Sequence, residues 1–292
     1  MRKFFSAFLR IITAPFRFIF WILRTIVRWI AGIFTNMKVF FSEEPEDAPL
    51  PEAFAKTIEN PMGILEHLNA LRKHLFRALI FLVITTVISF TFIQPILSFL
   101  SYPLPGGLSS LTAIDVTEPI GTVMRVALLA GFALAFPYIA LEIWMFIAPG
   151  ISRRSRLFSL LAIPVATLFF LGGMAFAFYV MMPAALPFML NFAGINTIPR
   201  PSSYIKFVTG LMFWLGVAFE FPLVIYLLAS IGMVKAKMLS DQWRLAVVII
   251  AVLAAAITPT VDPVNMSLVM GPMVLLYFLS VGLAMLAQRK RA

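Results

Sequence analysis

The run from Gly210 to Ser230, GLMFWLGVAFEFPLVIYLLAS, is 21 residues long and contains a single Asp, Glu, Lys, Arg or His, Glu220. About 20 apolar residues wind a helix across roughly 30 Å of hydrocarbon, so this stretch is predicted to span a membrane. A carboxylate at the centre of such a helix costs on the order of 2.5–3.5 kcal/mol on insertion scales, which turns it away from lipid toward protein or a wet cavity. Two residues later Pro222 removes a backbone N–H and crowds the preceding turn. The helix is expected to bend beside the acid and open a carbonyl to water. The plainer alternative is a protonated glutamate bonded to a neighbouring helix, serving packing alone.

The rest of the chain agrees with a bilayer as solvent. Of its 292 residues 61% are hydrophobic and 12% charged, and the mean hydropathy is +0.98. The fold class expected is therefore all-α and polytopic. The chain has no cysteine, so it has no disulfide and no thiolate nucleophile or ligand. Two histidines, His67 and His74, share a helix face at a spacing of seven, but no third ligand accompanies them and the simpler reading is a pair of interfacial residues. No cofactor, metal or nucleic-acid partner is expected, and no nucleophile–base pair suggests an enzyme.

Apolar runs place six spans, at about 76–93, 122–148, 157–182, 205–230, 245–257 and 264–287. The fifth is the anomaly: at 1.5 Å per residue its thirteen residues give only about 20 Å, so the bilayer should thin there or the helix should be shielded. Pro137, Pro164 and Pro272 predict bent helices and a concave bundle. Basic residues then set orientation. Arg72, Lys73 and Arg77, then Arg153, Arg154 and Arg156, then Lys235, Lys237 and Arg244, and finally Arg289, Lys290 and Arg291 all fall on one side. The opposite connections hold Asp115, Glu118, Asp262 and a lone Arg200. By the positive-inside rule both termini are cytoplasmic.

The chain divides into four parts. In residues 1–41, Lys3, Arg10, Arg17 and Arg24 recur every seven residues, with Arg28 one turn on, against Phe, Ile, Trp and Leu. Seven steps of about 100° return to nearly one angle, so the cations form a stripe and the segment is expected to lie in the headgroup plane. A cleaved signal peptide and a spanning helix both fit less well, because the arginines interrupt the apolar run. Residues 42–61, rich in acids and prolines, read as a solvated linker. Residues 62–288 form the membrane domain, opening on an amphipathic helix that turns into the first span. A basic tail, 289–292, closes the chain.

Four stretches in the membrane domain resemble, in order, the core subunit of the twin-arginine protein translocase, the TatC family: HLNALRKHL at 67–75, FIAPGI at 146–151, GVAFEFP at 216–222 and TPTVDP at 258–263. The resemblance covers about 62–288 and implies a kinked, glove-like six-span bundle in the cytoplasmic membrane of a prokaryote. It implies a receptor that binds twin-arginine signal peptides of folded cargo at its cytoplasmic face and recruits single-span partners of the TatA or TatB type. It further implies several copies within a complex driven by the proton gradient. On this resemblance Leu71, Arg72, Phe146 and Pro149 belong to signal binding, Glu220 and Pro222 to an intramembrane cavity, and Thr258 and Asp262 to partner docking.

Three positions depart from that pattern. Where the family usually has a glutamate before the Leu–Arg pair, this chain has Ala70; a second glutamate after FIAPG is replaced by Ser155; and a docking glutamine at the start of span six is Met266. An arginine pair calls for carboxylate acceptors, and Arg153, Arg154 and Arg156 repel it. Glu66, four residues before Ala70 on the same helical face, can substitute. Two readings therefore stay open: a receptor whose acid has moved to Glu66, and a diverged paralogue that keeps the scaffold without standard twin-arginine recognition. A proton-coupled transporter, with Glu142 or Arg125 as a second charge, is the alternative from another class.

Overall fold

The computed structural model describes residues 61–148, 159–191, 197–230, 232–258 and 262–289. Every regular element among them is helical. In chain order these are α1 (Pro61–Thr91), α2 (Ile93–Ser101), α3 (Glu118–Ile147), α4 (Ala162–Phe176), α5 (Met182–Leu190), α6 (Pro201–Ser230), α7 (Ala236–Asp241), α8 (Trp243–Ile257) and α9 (Pro263–Arg289). A 3-10 turn, Gly107–Ser110, lies in the first long connection, and a π turn, Ala177–Met181, joins α4 to α5.

Five stretches are long and apolar enough to cross a bilayer: His67–Thr91, Glu118–Ile147, Ala162–Leu190, Pro201–Ser230 and Pro263–Gln288. The sixth, α8, has 15 residues, or about 22 Å, so the short fifth span of the sequence reading is a short helix in the structure. Two boundaries differ. The first span and the amphipathic helix before it are one unbroken helix of 31 residues, since no proline or glycine interrupts the ladder after Met62–Gly63. The third span runs to Leu190 rather than Met182, because Pro183 falls at the start of α5, where a missing N–H does little harm, and the π turn carries the helix across the junction. Pro164, expected to bend its helix, lies in the first turn of α4 and breaks no interior hydrogen bond. Pro137, Pro222 and Pro272 do lie inside helices.

Helix α6 is the hub, packing on α4, α9 and α3, while α1 packs chiefly on α3 and α8 on α9. These main contacts make a row, α1–α3–α6–α9–α8, that does not close into a ring. The core under α6 is apolar and contiguous, with Phe170, Ile205, Leu211 and Leu215 almost wholly buried. Hydroxyls satisfy themselves within or between helices, as hydrocarbon demands. Thr85 donates to Gly131 O at 2.8 Å, stitching α1 to α3, and Tyr204 donates to Leu100 O at 2.7 Å, stitching α6 to α2.

Candidate functional site

Three groups of polar residues stand out against this apolar body. The first joins α1 to the C-terminal half of α3. Glu142 is 1% exposed, and its carboxylate accepts from Tyr138 one turn earlier and sits 2.6 Å from His74 Nδ1 and 3.9 Å from Arg77 Nη1. A buried carboxylate is tolerable only when so surrounded. One turn further along α3, the Phe146 ring lies 4.5 Å from the His67 ring and 6.2 Å from that of His74. The two histidines thus embrace Phe146 and one of them holds Glu142. Leu71 and Arg72 are exposed on α1 beside this group, and Ala70 is half-buried.

Pro149, Ser155, Arg153, Arg154 and Arg156 lie outside the described residues, as do the side chain of Glu66 and the whole amino-terminal segment 1–41. The structure therefore gathers Phe146 with the start of α1 and leaves Glu66, Pro149 and Ser155 unplaced. Glu142, which sequence reasoning named only as the second charge of a transporter, is the acid at the centre of this group. Its only local signal is Tyr138 at i−4, and the decisive partner, His74, is 68 residues away.

The second group is in the middle of α6. Pro222 is fully buried, and Glu220 Oε1 is buried with no hydrogen-bond partner among the described residues. Close approach of α4 sets this environment. A Cβ added to Gly173 of α4 would lie 2.6 Å from Leu215 O, and one added to Gly216 would lie 2.7 Å from the Phe170 ring. Glycine at both positions lets the two backbones touch one turn before Glu220. Phe176 and Phe219 pack beside the seam, with ring centroids 5.7 Å apart. An unpaired carboxylate oxygen in such a place calls for a donor from beyond the described residues or for a proton.

The third group is the turn between α8 and α9. Asp262 precedes Pro263, the first residue of α9; its Oδ1 accepts the Asn265 N–H at 2.7 Å and its Oδ2 the Asn265 side-chain amide at 2.9 Å. An aspartate cap followed by proline starts a helix by both of its usual means. Thr258 is buried and donates to Ala254 O at 2.9 Å, satisfying a carbonyl at the end of α8. Met266 packs against the main core. Local structure thus already explains Thr258 and Asp262, whatever else they do.

With these positions described, comparison with known proteins shows the family. Residues 66–272 match the family model described as Sec-independent protein translocase protein (TatC). The chain belongs to the TatC family. The TatC of Carboxydothermus hydrogenoformans is 34% identical over 228 residues, 77% of this chain and 94% of that protein. The TatC of Deinococcus radiodurans is 34% identical over 248 residues, 82% of this chain and 91% of that one. Among solved structures, a crystal structure of the twin-arginine translocase receptor TatC aligns with a TM-score of 0.66 at 30% identity, covering 76% of this chain and 99% of that chain. A second TatC receptor structure, in DDM, aligns with a TM-score of 0.69. The all-helical membrane fold and the Sec-independent translocase reading follow from these matches, and the transporter alternative is not favoured.

Proposed function

We propose that this chain is the receptor subunit of a twin-arginine translocase in the cytoplasmic membrane of a prokaryote. In this reading it binds the signal peptides of folded cargo on its cytoplasmic face, works with single-span TatA- or TatB-type partners, and acts in a complex of several copies driven by the proton gradient. The observation that carries the reading is the match to a solved twin-arginine translocase receptor over 99% of that chain. The signal peptide is read at the exposed start of α1, by Glu66, Leu71 and Arg72, together with Phe146 and the connection that holds Pro149 and Ser155. Glu142, held by His74 and Arg77, fixes α1 against α3 beneath that surface. Glu220, with Pro222, receives a polar group of a partner's span, which supplies the donor its Oε1 lacks. Thr258, Asp262 and Met266 mark a second docking edge at the far end of α8 and α9.

The test is complementation of a strain lacking its own receptor, scored by export of a folded reporter behind a twin-arginine or a twin-lysine signal. Export with the first and none with the second supports the reading; no export with either, from a chain inserted at normal abundance, removes it. A second arm separates the two accounts of Ala70 and Ser155. Glu66→Gln abolishes crosslinking of a twin-arginine peptide if the acid has moved to Glu66. If instead the wild type shows no such crosslink and the double change Ala70→Glu with Ser155→Glu gains one, the chain is a diverged paralogue.

A further inference from the structure

Two cations lie inside spans, on the side that the positive-inside rule leaves almost bare of positive charge: Arg125 in α3 and Lys206 in α6. Both are exposed, and no ion pair or hydrogen bond joins either to another described residue, although Arg200 nearby is tied to Glu118 at 3.3 Å. A cation in a span normally faces protein, a partner or the headgroups. For this pair the geometry of the α3–α6 seam decides which.

The two helices start at the same end, since Glu118, the first residue of α3, accepts from the hydroxyl of Ser202, the second residue of α6. They therefore run parallel from that contact. At about 100° per residue, the seven steps from Glu118 to Arg125 end about 20° short of two full turns, and the four from Ser202 to Lys206 about 40° beyond one. On two parallel helices that face each other, a small backward turn on one and a small forward turn on the other lead to the same side of the seam. The pattern of burial agrees. Gly121 and Leu128, which flank Arg125 on that side, are exposed, while Thr122 and Val126, on the other, are buried.

Depth agrees as well. A helix of 30 residues is about 45 Å long, so α3 and α6 overhang a hydrocarbon core of roughly 30 Å by about 7 Å at each end. The backbone of Arg125 then lies about 10 Å from the start of α3 and that of Lys206 about 8 Å from the start of α6, just within the boundary. Side chains of a helix lean toward its N-terminus, which for both helices is this near surface. Both cationic heads thus rise to the level of the lipid phosphates. Asp115 Oδ1 accepts the Thr117 N–H and Glu118 is engaged by Ser202 and Arg200, and among the described residues neither carboxylate forms an ion pair with Arg125 or Lys206.

We propose that Arg125 and Lys206 form a clamp for the phosphate of an anionic phospholipid, seated at the α3–α6 seam in the leaflet opposite the cytoplasm, with Arg200 at its outer edge. The leaflet rests on the orientation proposed above; the clamp itself does not. The absence of cysteine allows a clean probe. A Cβ at Gly121 would meet nothing within 4 Å, so Gly121→Cys takes a fluorophore one turn above Arg125. The full chain, in neutral detergent, is titrated with phosphatidylglycerol or phosphatidylcholine carrying brominated acyl chains. Phosphatidylglycerol should quench at several-fold lower concentration. Arg125→Gln or Lys206→Gln should each raise its midpoint about fivefold and the double variant roughly 25-fold, at about one surface charge's worth of attraction apiece. Arg125→Lys with Lys206→Arg should keep it, and Lys237→Gln, at the opposite end, should leave it unchanged. A double variant that titrates like the parent overturns the clamp. Full relief of quenching by millimolar inorganic phosphate overturns the lipid assignment in favour of a soluble anion. Because the assay has no leaflets, its failure says nothing against the proposed orientation or receptor role.

Discussion

At the scale of single residues, the two acids inside spans, Glu142 and the half-buried Glu220, ask for opposite treatments. Glu142 is saturated, so replacing it should hurt the fold: Glu142→Gln keeps the shape but removes the charge that faces His74 and Arg77. The loss should be about 1–3 kcal/mol, read as a lower midpoint of denaturant unfolding in micelles, and a cycle with His74→Ala should show the two effects to be non-additive. Glu220 is unsaturated on one oxygen, so replacing it should spare the fold and hurt assembly. Glu220→Ala is expected at normal abundance and thermal midpoint but with loss of the crosslink from mid-α6 to a partner span; an unchanged crosslink removes the docking role. The sequence announced Glu220 because a lone acid in 21 apolar residues stands out by its cost in hydrocarbon. It showed Glu142 only as a charge near the end of a span and hid its role, since the histidine 2.6 Å away belongs to another helix.

At the scale of elements, the glycines are decided by neighbours rather than by propensity. Gly172 and Gly173 are adjacent on α4, yet a Cβ on Gly172 meets nothing within 4 Å while one on Gly173 meets Leu215 O at 2.6 Å and the Gly216 Cα at 2.8 Å. Gly172→Ala should therefore be neutral or stabilise by up to about 1 kcal/mol, the ordinary helix preference. Gly173→Ala should destabilise by roughly 1–3 kcal/mol, because backbone cannot step aside as a side chain can. Gly131→Ala, whose Cβ would lie 2.6 Å from the Thr86 Cα, should do the same to the α1–α3 pair. Equal midpoints for Gly172→Ala and Gly173→Ala would refute the close packing of α4 on α6. Helix existence was legible here from apolar runs, and the short α8 from its length. Which glycine sits at a crossing was not, because the information lies in the partner helix. The π turn after α4 escaped for a related reason: prolines suggest ends, while packing of Phe178 on Phe99, at 4.5 Å, favours carrying the third span onward.

At the scale of the whole molecule, the decisive question is what the short helix α8 does, since it sets the parity of the spans. At about 22 Å it falls short of a roughly 30 Å core, and Leu245, Val248, Ile249, Val252 and Leu253 are exposed along it, an apolar face suited to lipid. If α8 crosses, with the bilayer thinned around it, the turn at Asp262 lies on the far side and α9 returns the chain to the cytoplasm. If it dips in and comes back, α9 carries the carboxyl terminus outward, against the basic run Arg289–Lys290–Arg291. The missing cysteines make the distinction direct. Ser109→Cys, exposed in the first connection, Ser240→Cys, exposed just before α8, and Ala292→Cys are each labelled in intact cells with a membrane-impermeant maleimide. The crossing topology predicts labelling at position 109 at once, and at 240 and 292 only after the membrane is opened. Labelling of 292 from outside, with 240 still protected, would reduce the spans to five and move the basic tail away from the side where the arginine-rich connection after α3 is expected. Contacts at both ends favour the crossing: Asp262 and Pro263 start α9 afresh at the turn, and Tyr277 of α9 donates to Leu239 O within α7, so α9 meets the chain again at the end where α8 began. A return path of that kind brings the end of α9 back to the side of Lys235 and Lys237, which is what six crossings require.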